Sequence, residues 1–274
     1  MRLALPDGLI YAAAVGAILT ACLALRERVD APGAPPPVPG LGQTPIAPNS
    51  PFAADRVLAA TAKTETRSGT AFSVGDGGLW LTARHVIEGC GQVGVVVAEG
   101  RGVAARPVAW RGDLVVLRTE GGAPALPLAL AATPGHGQQV FHPGFPQGAP
   151  GEAASRLLGR QSLRSPVRGG SKAEVLAWAQ NGRTEGLKGS LAGLSGAPVL
   201  DANGRVLGVT LAESPRRGRL FSSTPQAVLA VLRAAGVKPA ATATGAPLST
   251  ESYGRAADDL RRELRVVQVV CLAA

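Results

Sequence analysis

Short apolar stretches separated by turn residues dominate the chain from Ala54 to about residue 222. They fall into two sets, and a region rich in glycine and proline separates the sets. Short runs bounded by such residues are typical of antiparallel strands. The first set is residues 69–74, 79–83, 92–97, 103–110 and 114–118, and the second is 139–144, 173–179, 197–200, 206–212 and 220–222. Two similar strand sets predict an all-β chain that forms two barrels.

Helical patterns follow the second set. Residues 225–235 form the first, with Pro225 near its first turn and Gly236 just past its end, as is common at helix termini. In the tail, residues 239–274, an apolar helical face precedes the β-branched run 266–270. That face consists of Tyr253, Ala257, Leu260 and Leu264. The tail is expected to dock on the barrels, and its last run is either a strand against the first barrel or a continuation of the helix.

The N-terminal region predicts contact with a membrane. Residues 8–25 are uncharged and mostly apolar, long enough to cross a bilayer as a helix. Three outcomes compete: an uncleaved anchor over residues 1–29, which we favour, a signal peptide cut after a residue such as Ala24, and a lipoprotein leader ending at Cys22. Residues 30–52 are rich in proline and predict an extended linker that holds the domain off the membrane.

Charge and cysteine content narrow the function classes. The net charge is +9, yet only 4% of residues are aromatic, and none interleaves with the densest basic cluster at Arg216, Arg217 and Arg219. We therefore expect no nucleic-acid partner, because such binding combines basic grooves with stacking rings. Besides Cys22, the chain has only Cys90 and Cys271, which lack the close pairing of a zinc site. They form either one disulfide in an oxidising compartment or two buried thiols.

Three segments carry nucleophile and acid–base chemistry. Ser195 lies between glycines in Gly-Leu-Ser-Gly-Ala-Pro, and these glycines let the backbone N–H groups of Gly193 and Ser195 converge on one oxyanion. His85 lies just past the end of a predicted strand, at the start of a helical turn, as a rigidly held base requires. Asp113 lies at the start of a strand that the pattern predicts to be buried, where a hydrogen bond from a histidine N–H would offset the free-energy cost of burying its carboxylate. We expect the other histidines, His136 and His142, to be structural or exposed, and Asp76 and Asp201 to be turn residues.

The order His, Asp, Ser is that of the trypsin-like fold. With these residues, the chain resembles the trypsin-like (chymotrypsin-clan) serine peptidases, and it is similar to bacterial HtrA-type protease domains. The resemblance covers about residues 54–236, and the matching pieces are GTAFSV (69–74), LTARHV (81–86), GDLVVL (112–117), PGFPQG (143–148), GLSGAPVL (193–200) and GRVLGVT (204–210). It implies an all-β fold of two antiparallel six-stranded barrels with the active site between them, and a peptidase domain at residues 53–238 followed by the docked tail.

The resemblance also implies a function. A serine endopeptidase would use His85, Asp113 and Ser195 as catalytic triad, with protein or peptide substrates and without metal or organic cofactor. Leu211, Ala212 and Glu213 would line the primary pocket and favour small or apolar side chains, unless Glu213 admits a basic one.

A large domain behind one leader is usually exported, which predicts a single-pass bacterial inner-membrane protein facing the periplasm. The rival function is a catalytically silent, peptide-binding or scaffold double barrel.

Three features depart from that family's pattern. Leu194 stands where zymogen-type members have an acid, so their activation switch is not expected here. Ala197 replaces a glycine that is common at that position and narrows the floor near Ser195. The tail after the second barrel is too short for a PDZ domain, so we expect no regulation by peptide sensing of that kind.

Overall fold

The computed structural model describes residues 57–59, 65–164, 172–238 and 245–272. The predicted membrane segment and linker lie outside these residues. Within them, no helix is both long and apolar enough to cross a bilayer. The strands are β1 (Val57–Ala59), β2 (Glu65–Gly75), β3 (Leu79–Ala83), β4 (Gln92–Ala98), β5 (Arg101–Arg111), β6 (Leu114–Arg118), β7 (Gln139–Gly144), β8 (Gly151–Arg164), β9 (Lys172–Arg183), β10 (Pro198–Leu200), β11 (Val206–Ser214), β12 (Arg219–Ser223) and β13 (Val266–Leu272). The helices are α1 (Arg84–Ile87), α2 (Pro225–Ala234) and α3 (Tyr253–Arg262).

These strands form two antiparallel barrels, which confirms the fold predicted from the sequence. The first barrel runs β2-β3-β6-β5-β4-β13 and returns to β2, with β1 added beside β5. The second closes in the order β10-β11-β12-β9-β8-β7. Each barrel buries a tryptophan, Trp80 in the first and Trp178 in the second, among aliphatic side chains. Closure leaves few free strand edges, and the site residues lie where β3, β6 and the β10–β11 region approach each other.

The C-terminal strand β13 completes the first barrel. It pairs with β2 on one side, where Val267 faces Ala71, and with β4 on the other, where Val269 faces Val95. The β-branched run at residues 266–270 is therefore a strand and does not continue the preceding helix. The tail contributes a wall of the barrel itself, so the first barrel combines strands from both ends of the described chain.

A disulfide joins the C-terminal strand to the segment after α1. Cys90 and Cys271 are bonded, with their Cα atoms 5.3 Å apart and a sequence separation of 181. Of the two alternatives that the sequence left open, the structure contains the disulfide. Because the closed loop is long, the bond removes much conformational freedom from the unfolded chain.

Replacing both Cys90 and Cys271 with serine should lower the free energy of unfolding by about 3–5 kcal/mol, since the bond closes a long loop. Urea unfolding of the two proteins, each with and without dithiothreitol, measures the effect. The reductant should destabilise the wild type by the same amount and leave the double variant unchanged. A wild type whose unfolding is insensitive to reductant would contradict this account of the bond.

His142 is a structural residue at the centre of the second barrel, in agreement with the sequence prediction. Its ring is fully buried, Nδ1 lies 2.9 Å from Thr210 Oγ1, and Nε2 lies 2.7 Å from Ser155 Oγ. Burial lowers the pKa of His142 from 6.5 to about 3. The imidazole is therefore neutral in the folded protein across the physiological range.

Acid should destabilise the protein through His142. The unfolded chain binds a proton at this residue below pH 6.5, whereas the folded chain does so only below about pH 3. The His142 contribution is thus complete above pH 6.5 and is lost at about 1.4 kcal/mol per pH unit as the pH falls toward 3. Denaturant unfolding of wild type and His142→Gln at several pH values tests this. The variant should be less stable at neutral pH but show a shallower slope, and identical slopes would refute the prediction.

Candidate active site

His85 and Asp113 form a rigid pair at the mouth of the first barrel. His85 lies in α1, directly after the buried strand β3, and Asp113 lies directly before β6. The His85 Nδ1 atom is 2.8 Å from Asp113 Oδ2, and the His85 backbone N–H donates to Asp113 Oδ1 at 3.0 Å. The Asp113 side chain is only 6% exposed and the His85 side chain 24%. The carboxylate therefore accepts a hydrogen bond from Nδ1–H, which keeps the proton on Nδ1 and leaves Nε2, the other ring nitrogen, as a base.

Backbone contacts fix Asp113 relative to its partner as well. The Arg84 N–H donates to the Asp113 carbonyl at 2.9 Å. Gly112 reverses the chain just before Asp113 with a φ of +55°, in the left-handed region that glycine tolerates. The pairing of β3 with β6 places Ala83 opposite Leu114, so the histidine and the aspartate emerge side by side. The turn at Gly112 and the register of β3 with β6 thus both bring Asp113 next to His85.

Ser195 lies on a tight turn that is bound to both barrels. Its carbonyl accepts from the Thr70 N–H at 2.8 Å, and the Gly196 N–H donates to the Thr210 carbonyl at 2.8 Å. A Cβ atom at Gly196, whose φ is +90°, would lie 1.9 Å from the Thr70 carbonyl oxygen. Only glycine fits so close to β2, so the glycine after Ser195 is required by packing. Ser195 itself stays half-exposed.

Gly69 lies between helix α1, which carries His85, and the turn that carries Ser195. A Cβ atom built there would be 2.7 Å from both methyl groups of Val86 and 3.0 Å from the Ser195 carbonyl oxygen. The residue after His85 and the backbone of Ser195 therefore meet at the same glycine. The Ser195 hydroxyl donates to the Leu211 carbonyl at 3.4 Å, and no hydrogen bond joins it to His85 among the described residues.

Two backbone donors beside the serine are available for a ligand. Among the described residues, neither the Gly193 N–H nor the Ser195 N–H donates a hydrogen bond. The carbonyl groups nearby are already engaged: Ala192 accepts from the Gln147 N–H at 2.5 Å, and Gly193 accepts from Thr70 Oγ1 at 2.8 Å. Unengaged N–H groups next to a nucleophile are what stabilises a tetrahedral oxyanion.

The three predicted pocket residues lie at the end of β11. Leu211 provides the carbonyl that accepts from Ser195, and the partly buried Ala212 follows it. The Glu213 carboxylate accepts from the Leu191 N–H at 2.9 and 2.8 Å through its two oxygens, and also from the Ser190 hydroxyl. Glu213 therefore anchors the segment before the nucleophile turn.

Thr70 and Gln147 also support the site, although the sequence motifs predict no role for either. Thr70 Oγ1 accepts from the Phe145 N–H at 3.0 Å while it donates to the Gly193 carbonyl, so it connects three segments. The Gln147 side-chain amide donates to the Lys188 and Ser190 carbonyls at 2.7 and 2.8 Å. Both residues lie in segments that carry the family resemblance, GTAFSV and PGFPQG, and this was the only signal that the sequence offered.

The family model for the trypsin-like peptidase domain matches residues 69–209, more than half of the 274 residues. The chain belongs to the trypsin-like peptidase family. This confirms the resemblance seen in the motifs, and the protein is a serine endopeptidase. The match begins at Gly69 and ends within β11, so it includes the histidine, aspartate and serine segments described above.

Solved structures share the fold of this peptidase. The active form of the Rv3671c protease from M. tuberculosis aligns with a TM-score of 0.53 and 23% identity over 81% of this chain and 96% of that chain. The HtrA-type protease AlgW with a decapeptide aligns with a TM-score of 0.50 and 22% identity, over 61% of this chain and 51% of that one. At these identities the likeness establishes the fold. No curated protein sequence matches the peptidase.

Proposed function

We propose that His85, Asp113 and Ser195 are the catalytic triad of this peptidase and that it cleaves peptide bonds through an acyl-enzyme. The observation that carries the proposal is the His85–Asp113 pair, joined by two hydrogen bonds through side chain and backbone, next to the turn that presents Ser195. A carboxylate that fixes the Nδ1–H tautomer makes Nε2 a base for a neighbouring hydroxyl. No other His–carboxylate hydrogen bond occurs among the described residues.

The proposed nucleophilic step requires the serine hydroxyl to change its hydrogen-bond partner. The Ser195 hydroxyl now donates to the Leu211 carbonyl, and in the proposed step it rotates about χ1 to donate to His85 Nε2 instead. Catalytic hydrogen bonds of free enzymes are often loose and tighten when substrate binds. Ser195 Oγ then bonds to the substrate carbonyl carbon, and its proton passes to His85 Nε2.

Collapse of the tetrahedral intermediate completes the cycle. The N–H groups of Gly193 and Ser195 donate to its oxyanion. His85 returns the proton to the leaving amine as the C–N bond breaks, which leaves an ester on Ser195. His85 then accepts a proton from water, the water oxygen attacks the ester, and the carboxylic acid departs as Ser195 regains its proton.

The substrates proposed are proteins or peptides whose primary side chain enters a pocket beside Leu211, Ala212 and Glu213. The Glu213 carboxylate already accepts hydrogen bonds from Leu191 and Ser190, so it is less available to a basic substrate side chain. Leu211 and Ala212 supply apolar surface. We therefore propose small or apolar residues as the preferred side chains on the acyl side of the cleaved bond.

We further propose that the peptidase is tethered to the bacterial inner membrane by residues 1–29 and acts in the periplasm. The Cys90–Cys271 disulfide supports an oxidising compartment. The mass of the N-terminal peptide from purified membranes decides among the forms: an intact N-terminus supports the anchor, cleavage near Ala24 a secreted form, and a lipid on Cys22 a lipoprotein. Either of the latter two results would overturn the anchor.

A fluorophosphonate probe tests the activity without knowledge of the substrate. The wild type should acquire the probe covalently, and Ser195→Ala should not. His85→Ala should also lose labelling, because the hydroxyl is a poor nucleophile without its base. If properly folded wild type stays unlabelled, the catalytically silent binding module becomes the better function.

A further inference from the structure

The C-terminal helix reaches the nucleophile turn through a buried arginine. Arg261 lies in α3, and its side chain is 7% exposed. Its Nη1 donates to the carbonyls of Gly144 and Gly151 at 3.3 and 3.2 Å. These two glycines face each other at the end of the β7–β8 hairpin, and residues 145–150 form its turn, which we call the support loop. Arg261 thus closes the base of the support loop.

The arginine is held in turn by two buried carboxylates. Its Nη2 donates to Glu152 Oε2 at 3.1 Å and to Asp258 Oδ1 at 2.6 Å. Glu152 is fully buried, and its Oε1 accepts from Thr184 Oγ1 at 2.9 Å. Arg261 Nε and Asp258 Oδ2 have no hydrogen-bond partner among the described residues. Burying polar atoms without partners costs stability. The contacts of Arg261 with the support loop therefore explain this network better than a role in docking the helix does.

The support loop is hydrogen-bonded, directly or through Thr70, to both peptide groups that flank Gly193. The Gln147 N–H donates to the Ala192 carbonyl at 2.5 Å, and the Phe145 N–H donates to Thr70 Oγ1, which itself donates to the Gly193 carbonyl at 2.8 Å. In a trans peptide the C=O and the following N–H point in opposite directions. A carbonyl of Ala192 that is drawn toward Gln147 therefore turns the Gly193 N–H away from the support loop.

Gln147 is suited to this role by its backbone. Its φ of +55° lies in the left-handed region, which is uncommon for a residue other than glycine. Its side-chain amide adds bonds to the Lys188 and Ser190 carbonyls, so one residue holds the segment before Gly193 at three points. Strain of this kind persists where the surrounding contacts determine the conformation.

We infer that Arg261 and Gln147 are positioning residues, through which the C-terminal helix orients the Ala192–Gly193 peptide and thereby the oxyanion hole. The inference rests on the proposed catalytic function of Ser195 and Gly193. Neither side chain touches the substrate in this account. Both act through the direction of one N–H bond.

The experiment measures the second-order rate of fluorophosphonate labelling for wild type, Arg261→Lys and Gln147→Gly, each corrected for its folded fraction by near-UV circular dichroism. Lysine keeps the charge, but its three N–H donors cannot serve all four acceptors of Arg261, two carbonyls and two carboxylates. Glycine keeps the Gln147 N–H and its φ while removing the side-chain bonds. The matched controls are Arg262→Lys, an exposed neighbour on α3, and Gln138→Gly, a turn glutamine whose side chain accepts from the Gly135 N–H.

We expect Arg261→Lys and Gln147→Gly to slow labelling by about tenfold to a hundredfold per folded molecule, less than the roughly 10²–10³ for outright loss of an oxyanion donor. Any peptide substrate found should show a lower kcat with KM little changed. The controls should label at the wild-type rate. If Arg261→Lys does not fold, Gln147→Gly decides alone, because glycine accepts the conformation.

The outcomes separate this inference from the proposed function. Wild type that never labels overturns the proposed function. Wild type that labels, together with both variants labelling at its rate per folded molecule, overturns only the positioning role and leaves Arg261 as part of helix docking.

Discussion

Replacement of Asp113 with asparagine is expected to lower kcat by about 10⁴-fold and to leave the fold intact. In the wild type, Asp113 Oδ1 accepts from the His85 backbone N–H and Oδ2 from Nδ1–H. The amide oxygen of asparagine can keep the backbone bond, but its NH₂ group then faces Nδ1. The ring would adopt the Nε2–H tautomer, which cannot take the proton of Ser195. Turnover of a peptide substrate and the thermal unfolding midpoint measure the two effects.

Asp201→Asn is the matched control. Asp201 is as buried as Asp113, at 5% exposed, and accepts from the backbone N–H groups of Asn203 and Arg205 and from the Arg205 guanidinium. Asparagine can retain the backbone bonds of this turn. The control should lose some stability and keep its kcat. An Asp113→Asn enzyme within tenfold of the wild type would contradict the assigned role.

Deletion of residues 266–274 is expected to prevent folding of the first barrel. The deletion removes β13 and exposes the edges of β2 and β4. It also removes the buried side chains of Val266, Val267, Val269, Val270 and Cys271. At about 1.5–3 kcal/mol for each large apolar side chain, the loss is as large as the typical total stability of about 5–15 kcal/mol. Near-UV circular dichroism and cooperative unfolding should both be lost.

A pair of point variants shows whether the deletion acts by removing strand β13 or only by shortening the tail. Val269 is fully buried, whereas Gln268 is only half-buried. Val269→Lys should therefore abolish the cooperative transition, and Gln268→Lys should keep it. A truncated protein that unfolds cooperatively like the wild type would show that β13 is an addition and not a wall of the barrel.

The sequence predicted most of the strands because their apolar runs end at turn residues. β3, β6 and β7 have the bounds that the pattern gave. β8 was missed, since GEAASRLLGRQSLR alternates small and charged residues with few apolar ones and its inward face is filled partly by Ala153 and Ser155. The pattern at residues 266–270 left strand and helix open, because a short β-branched run does not reveal its pairing partners.

In the candidate site, the sequence predicts the chemically active residues but not the contacts that support them. Three short motifs named His85, Asp113 and Ser195, since each chemistry needs a particular residue in a particular local setting. The support from Thr70, Gln147 and Arg261 could not be predicted, because it consists of hydrogen bonds between segments far apart in the chain; Arg261 and Gly144 are separated by 117 residues. A single sequence carries no information on which distant carbonyl an arginine will meet.

A crystal structure of the protein after reaction with a fluorophosphonate tests the proposed triad most directly. We expect a covalent bond from Ser195 Oγ to phosphorus and a phosphonyl oxygen about 2.7–3.1 Å from the N–H nitrogens of Gly193 and Ser195. His85 Nε2 should lie beside the adduct, with Asp113 still bound at Nδ1. An adduct on another residue, or an imidazole of His85 that lies many ångströms from Ser195, would contradict the proposed triad.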